Sequence, residues 1–206
     1  MQIFILILVF CTLISCNSKV KEDKKNKKDL SNEKIDTIKF TLLKDNLYKD
    51  NLGNFGFKTI DNSDPQKPVE RFITIVWNAN PDDSINDGKM DMKNVIDTGS
   101  YKLIKGIYYK DKRHFYVFSQ MADGGTFAVL QNIDPKTFVV LSPYYAKDIN
   151  HVYYGSKIIK NADVKTFEPL TKISNGDTSW QYGKDKNYFF FFGEVIYQEE
   201  LKLHKF

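Results

Sequence analysis

Cysteine is almost missing from this chain. Its 206 residues carry two, Cys11 and Cys16, and both precede any stretch able to fold. From Ile35 onward there is no thiol, which excludes disulfide staples, cysteine nucleophiles and thiolate zinc sites together. A basic excess is missing as well. The chain is +4 overall, but residues 17–34 hold seven lysines against four acids, so the 172 residues from Ile35 to Phe206 sit near +1 (4 − 3). A nucleic-acid binder needs clustered Lys and Arg to neutralise phosphates, so no nucleic-acid partner is expected. The apolar run from Ile3 to Ile14 falls short of the roughly 20 residues that a membrane-spanning helix requires. Nucleophile elbow, phosphate loop, zinc-binding helix and paired-carboxylate motif are all missing. No catalytic residue, metal or cofactor is assigned from sequence, and the chain is not expected to be an enzyme.

The first segment present is "MQIFILILVFCTLISC". A short apolar run at the N-terminus fits the central region of a secretory signal peptide, although no Lys or Arg precedes it. Leu13-Ile14-Ser15-Cys16 resembles a bacterial lipobox: an aliphatic residue, a tolerant position, a small residue, then cysteine. The resemblance implies a signal peptide over residues 1–15 and acyl chains on Cys16. Each buried methylene contributes about 0.8 kcal/mol, so several chains hold a soluble domain on a bilayer. Residues 16–34 then read as the lipidated cysteine and a Lys-rich disordered tether, because Val20 and Leu30 are too little apolar surface to offset the entropy of ordering. The expected location is the cell envelope, with the membrane reached through lipid on Cys16.

The remainder is organised by repeats, which are sought first because they decide the fold. Tyr-x-Lys-Asp occurs at Tyr108-Lys110-Asp111, Tyr145-Lys147-Asp148 and Tyr182-Lys184-Asp185, 37 residues apart both times. Asp134-Pro-Lys-Thr-Phe138 is echoed by Asp163-Val-Lys-Thr-Phe167 and, more loosely, by Asp97-Thr-Gly-Ser-Tyr101. After each Lys-Asp come "HFYVF", "HVYY" and "YFFFF", aromatic and β-branched runs that suit partly buried strands. Gly155-Ser156 and Gly193-Glu194 read as two-residue hairpin links. "DPKTF" reads as a short helical turn, capped by Asp134 with Pro135 in its first position. The expectation is all-β: antiparallel hairpin repeats of about 37 residues with short helical turns, stacked or sharing a continuous sheet. Residues 35–96 form an N-terminal β region and 97–206 the repeat region, with "QEELKLHKF" as a terminal cap.

The pattern Tyr-x-Lys-Asp-x-x-x-Val-Tyr-Tyr…Ala-Asp-x-Lys-Thr-Phe resembles the DKNYY family of repeat-containing bacterial envelope proteins. Its name-giving stretch stands here as Asp185-Lys186-Asn187-Tyr188-Phe189, and the resemblance covers roughly residues 97–200. It implies a β-rich envelope protein and carries over no catalytic residue.

Four residues are candidates for binding: Trp180, Tyr153, His151 and His114. The histidines sit three residues after successive repeat aspartates, a place that Tyr188 takes in the third unit, which favours strand packing over metal or acid/base work. The recurring Lys-Asp pairs read as turn aspartates beside solvated lysines. His204 reads as a tail residue. The acidic loop Asp82–Asp91 fails an EF-hand template, since position three would be Ile85 and position twelve Asn94. Trp180 is the residue best suited to stack on a sugar ring. The functions that follow are a non-catalytic, membrane-anchored interaction or structural module with an unknown envelope protein as partner, a glycan-binding envelope protein, an enzyme with its site in residues 40–95, and a toxin-immunity protein.

Overall fold

The computed structural model describes residues 38–79, 88–174, 177–197 and 199–200, and the account below concerns these. Cys16, the signal segment, the tether, His204 and most of the acidic loop lie outside the described residues. Residues Thr37–Phe206 form one compact unit.

Four sheets follow one another along the chain. The first is β1 (Phe40–Lys44), β2 (Leu47–Asp50), β3 (Phe55–Asp61) and β4 (Val69–Ile73), in that order. The second contains β5 (Ile75–Ala79), β6 (Lys89–Asp91), β7 (Lys102–Lys105), β8 (Tyr108–Lys110), β9 (Phe115–Ser119) and β10 (Thr126–Leu130), with α1 (Met92–Val95) between β6 and β7. Its spatial order is β6-β5-β10-β9-β8-β7. The third is β11 (Val139–Val140), β12 (Tyr145–Lys147), β13 (Val152–Tyr154) and β14 (Lys157–Ile158), and the fourth is β15 (Glu168–Ser174), β16 (Asp177–Lys184), β17 (Phe189–Phe191) and β18 (Glu194–Ile196). Neighbouring strands pair antiparallel except β5 with β10, which are parallel.

The repeats therefore do not share a continuous sheet; they stack. Side chains alternate across a strand, and here both faces are apolar. Tyr109, Tyr116, Phe127 and Val129 of the second sheet pack with Leu47 and Phe57 of the first. Tyr108, Val117, Ala128 and Leu130, one residue out of phase, pack with Ala146 and Tyr153 of the third. The third sheet repeats the device, sending Tyr145 and Val152 to meet Phe167 and Phe190. Three cores thus lie between four sheets, and the doubled aromatic positions of the repeat exist because an inner sheet needs two apolar faces.

The hairpin links follow turn chemistry. Gly155-Ser156 joins β13 to β14, with Gly155 at φ +59°. The second expected link is displaced by one residue. Phe191 pairs with Glu194, so the turn is Phe192-Gly193, at φ +52° and +81°. Two consecutive positive φ values match the right-handed twist of the strands, and strand pairing overrides the cost at Phe192. The "DPKTF" segment is one capped turn in which Phe138 N–H reaches Asp134 O (2.9 Å).

One polar atom in the first core has no partner among the described residues. Tyr101, 1% exposed, occupies the place of Phe138 and Phe167, and its buried hydroxyl makes no hydrogen bond. Tyr101→Phe should therefore be neutral or stabilising by about 1 kcal/mol, because it removes an unsatisfied buried group at no loss of ring packing. Urea denaturation checks it; a clear destabilisation would mean the hydroxyl is bonded.

Candidate functional site

The residues that looked chemical in sequence are joined into a clasp. Asp148 Oδ1 accepts the N–H groups of Asn150 (2.8 Å) and His151 (2.7 Å), and its Oδ2 accepts Asp134 N–H (2.9 Å) and the Tyr153 hydroxyl (2.7 Å). Asp111 does the same for Arg113, His114, Asp97 and the Tyr116 hydroxyl. Asp185 accepts Asn187, Tyr188 and Asp163 N–H groups, but Phe190 stands where the hydroxyl would be. A second strap crosses the same gap: Ser100, Thr137 and Thr166 hydroxyls accept the N–H of Lys112, Ile149 and Lys186. Burial pushes the Asp148 and Asp111 carboxyls up, but the donors outweigh it and hold both below the usual carboxylate range. They are fixed acceptors, unsuited to giving up a proton.

The neighbouring lysines are engaged rather than simply solvated. Lys147 Nζ donates to Val164 O (3.0 Å), Lys184 pairs with Glu168 (2.9 Å), and Lys110 lies 5.7 Å from the centre of the Phe115 ring. Each unit is also tied to the next by its tyrosine. Tyr108 Oη donates to Tyr144 O (2.7 Å), and Tyr145 Oη to Gln181 O (2.6 Å), both 36 residues ahead.

A partial fourth copy of the clasp, its local turn alone, went unread in sequence. Asp50 Oδ1 accepts Leu52 and Asn54 N–H groups, and Oδ2 accepts Asn54 Nδ2. The signal was present: "LLKDNLYKD" (residues 42–50) matches "LIKGIYYKD" (103–111), and the strand register shifts at the same place, beside Leu43 and Ile104. It escaped because Leu47 replaces the anchor tyrosine and the interval to the next aspartate is 61 residues rather than 37 (111 − 50).

The four candidate binding residues are not brought together. Tyr153 is fully buried and clasped, which removes it from any exposed surface. His151 and His114 close their turns through backbone N–H groups. The His114 ring lies 3.4 Å from the Tyr116 hydroxyl, and His151 Nδ1 is buried without a partner among the described residues. Trp180 is 36% exposed on β16.

The described concavity lies elsewhere, within residues 38–93. A cleft of ≈ 510 Å³ opens beside the first sheet, walled by Ile38, Phe40, Phe55 and Phe72, with Asp50, Glu70, Arg71, Asp91 and Lys93 on its lip. Trp180, His114 and His151 do not line it. Phe40 on the edge strand reaches across Gly56 to stack on Phe72, with ring centres 3.9 Å apart. Only glycine fits beneath: a Cβ at residue 56 would lie 2.7 Å from Phe40 Cε1 and 3.0 Å from Phe72 Cβ. The lip charges are largely spoken for, Glu70 by Lys58 (2.5 Å), Arg71 by Asp61 (2.6 Å) and Lys93 by Asn54 Oδ1 (3.0 Å). Burial raises the Asp50 carboxyl, but the donors from Asn54, Leu52 and Gly53 hold it low. This arrangement offers an apolar wall beside fixed donors and acceptors, which is binding chemistry.

No curated protein and no solved structure matches the chain. The model of the DKNYY family matches residues 4–194, reaching well into the N-terminal half where the fourth clasp lies. With the clasp, its recurrence and this match in hand, the chain belongs to the DKNYY family.

Proposed function

We propose that the protein is a non-catalytic bacterial envelope lipoprotein, held to a membrane by acyl chains on Cys16, and that it works as an interaction module through the cleft on its first sheet. The carrying observation is a division of labour. The repeat's carboxylates and histidine turns are consumed in closing each unit, and Tyr108 and Tyr145 in tying it to the next, while the cleft presents an aromatic wall and polar lip to solvent. Support for the anchor comes from Leu13-Ile14-Ser15-Cys16 and the lysine-rich stretch after it.

Two measurements test the two halves. Cys16→Ala should move the protein from the membrane to the soluble fraction and abolish incorporation of labelled fatty acid; label retained by the variant would disprove the anchor. A photo-crosslinking residue at Asp91, on the cleft lip, should give envelope adducts that the same residue at exposed Ile149 does not. Equal yields from both positions would remove the cleft from the function.

A further inference from the structure

Resting on the anchor at Cys16, we infer that the outer face of the first sheet lies against the phospholipid bilayer, so that the contact this sheet makes is with the membrane surface itself. Leu47 and Phe57 turn inward to the first core. Side chains alternate along a strand, so Phe40, Leu42, Tyr48, Ile60 and Phe72 share the opposite face with Lys58 and Glu70. The register sets Leu42 beside Tyr48, Lys58 beside Phe72 and Ile60 beside Glu70. The cleft opens at the margin of this face and shares Phe40, Glu70 and Phe72 with it.

The two ends of the stack differ. On the far side of the fourth sheet, out of phase with inward Phe190, Tyr182 and Ile196 are each 7% exposed. The outer face of the first sheet instead leaves Leu42 56% and Ile60 45% exposed, with Ile38 and Leu52 also open to solvent at its margin.

The chemistry of the face selects its occupant. Phe40 and Phe72 stack on each other and Tyr48 meets Phe72 edge-on, so the rings are turned to one another rather than to a shaped ligand. Lys58 is paired with Glu70 (2.5 Å), and Asp50 spends its carboxylate on its own turn. What remains is apolar burial, which is non-directional. A bilayer needs no matching shape and takes aromatic rings and lysine stems at its headgroup boundary. A second copy asks for more. Four strands about 4.8 Å apart, the longest of seven residues, make a face of roughly 400 Å², about half the ~800 Å² per partner of a stable interface.

The order of the chain points the same way. The first sheet is the one that follows the anchor, and 21 residues (38 − 16 − 1) separate Cys16 from Ile38. Such a length reaches at most about 75 Å. A lipid on Cys16 keeps this sheet near the bilayer, and that confinement turns a weak surface affinity into sustained contact.

The test uses the mature chain, residues 16–206 with Cys16→Ser, which carries neither signal segment nor lipid. It is sedimented with phosphatidylcholine vesicles and with vesicles that also contain phosphatidylglycerol. Binding to both should persist in roughly 0.5 M salt, which screens exposed charges. Leu42→Thr combined with Leu52→Asn, both at exposed positions, should weaken it about tenfold or more at an unchanged urea midpoint, while Ile173→Thr on the fourth sheet leaves it intact. Binding to neither vesicle, binding lost in salt, binding unaffected by the double substitution, or binding lost on Ile173→Thr would each overturn the inference. None of these outcomes touches the anchor, which fatty-acid labelling of Cys16→Ala judges separately. Adducts from Asp91 to a single protein, with none to lipid, would overturn the inference too, while leaving the cleft's role as a contact site in place.

Discussion

Asp148→Ala is expected to cost about 3–5 kcal/mol of folding stability, a large part of the roughly 5–15 kcal/mol that a domain of this size possesses. The carboxylate is 3% exposed and accepts from three backbone N–H groups and the Tyr153 hydroxyl. Removing it strands those donors, and each buried unsatisfied group costs about 1–3 kcal/mol, less where water can reach. Asp185→Ala is the internal control. It breaks three such bonds with no hydroxyl and in a more exposed setting, so its loss should be roughly half as large. Urea midpoints at unchanged m-value measure both. A loss below about 1 kcal/mol for Asp148→Ala would mean that the clasp does not hold the unit together.

The same carboxylates contribute to the acid limit, alongside Asp50, Asp61, Asp97 and Asp163, which are also held low. Asp111 and Asp148 are held below their ordinary value in the fold, so they bind fewer protons when folded than unfolded near that value. Their contribution is complete above about pH 4, the unfolded value, and is lost as pH falls through the folded ones. The wild-type urea midpoint should drop below that pH, and Asp148→Ala should show a shallower drop.

Gly106→Ala should be far more damaging than Gly155→Ala, though both glycines have nearly the same conformation, φ +58° and +59°. At Gly155 the nearest atom to an added Cβ is Ile107 Cδ1 at 3.8 Å, so the cost is the left-handed backbone alone, about 1–2 kcal/mol. At Gly106 the Cβ would overlap Pro143 Cα and its carbonyl oxygen, backbone that cannot swing aside. The second sheet must then withdraw from the third, straining the Ile107 N–H to Pro143 O bond (3.2 Å) and the Tyr108 hydroxyl's hold on Tyr144 O. A loss above about 3 kcal/mol is expected, in the range of overpacked contacts. Thermal melts of the two variants compare them directly. Equal destabilisation would show that backbone conformation, rather than the contact between sheets, sets the cost.

Much of the unit was legible because it is local. Asp134 followed by Pro135 announces a capped turn, and a Gly-Ser pair between two β-rich runs announces a hairpin. The recurrence of Tyr-x-Lys-Asp identified Asp148 as a turn residue before any contact was known. The Phe192-Gly193 turn was misplaced by one residue, because glycine can occupy either position and only the pairing of Phe191 with Glu194 decides. The cleft was invisible for a stronger reason. Phe40, Gly56 and Phe72 lie on three different strands, and nothing near any of them in the chain marks the others.

By itself, then, the amino-acid order determined the repeat, its turns and caps, the β class and the aspartates that organise each unit, since hydrogen bonding within a few residues and a period-two pattern need no distant partner. Only the tertiary structure decided that the sheets stack rather than merge, that Tyr108 faces one core and Tyr109 another, and that β5 lies parallel to β10. The same holds for the aromatic wall beside Gly56. Those outcomes depend on which apolar faces meet, and that is settled by burial between residues tens of positions apart.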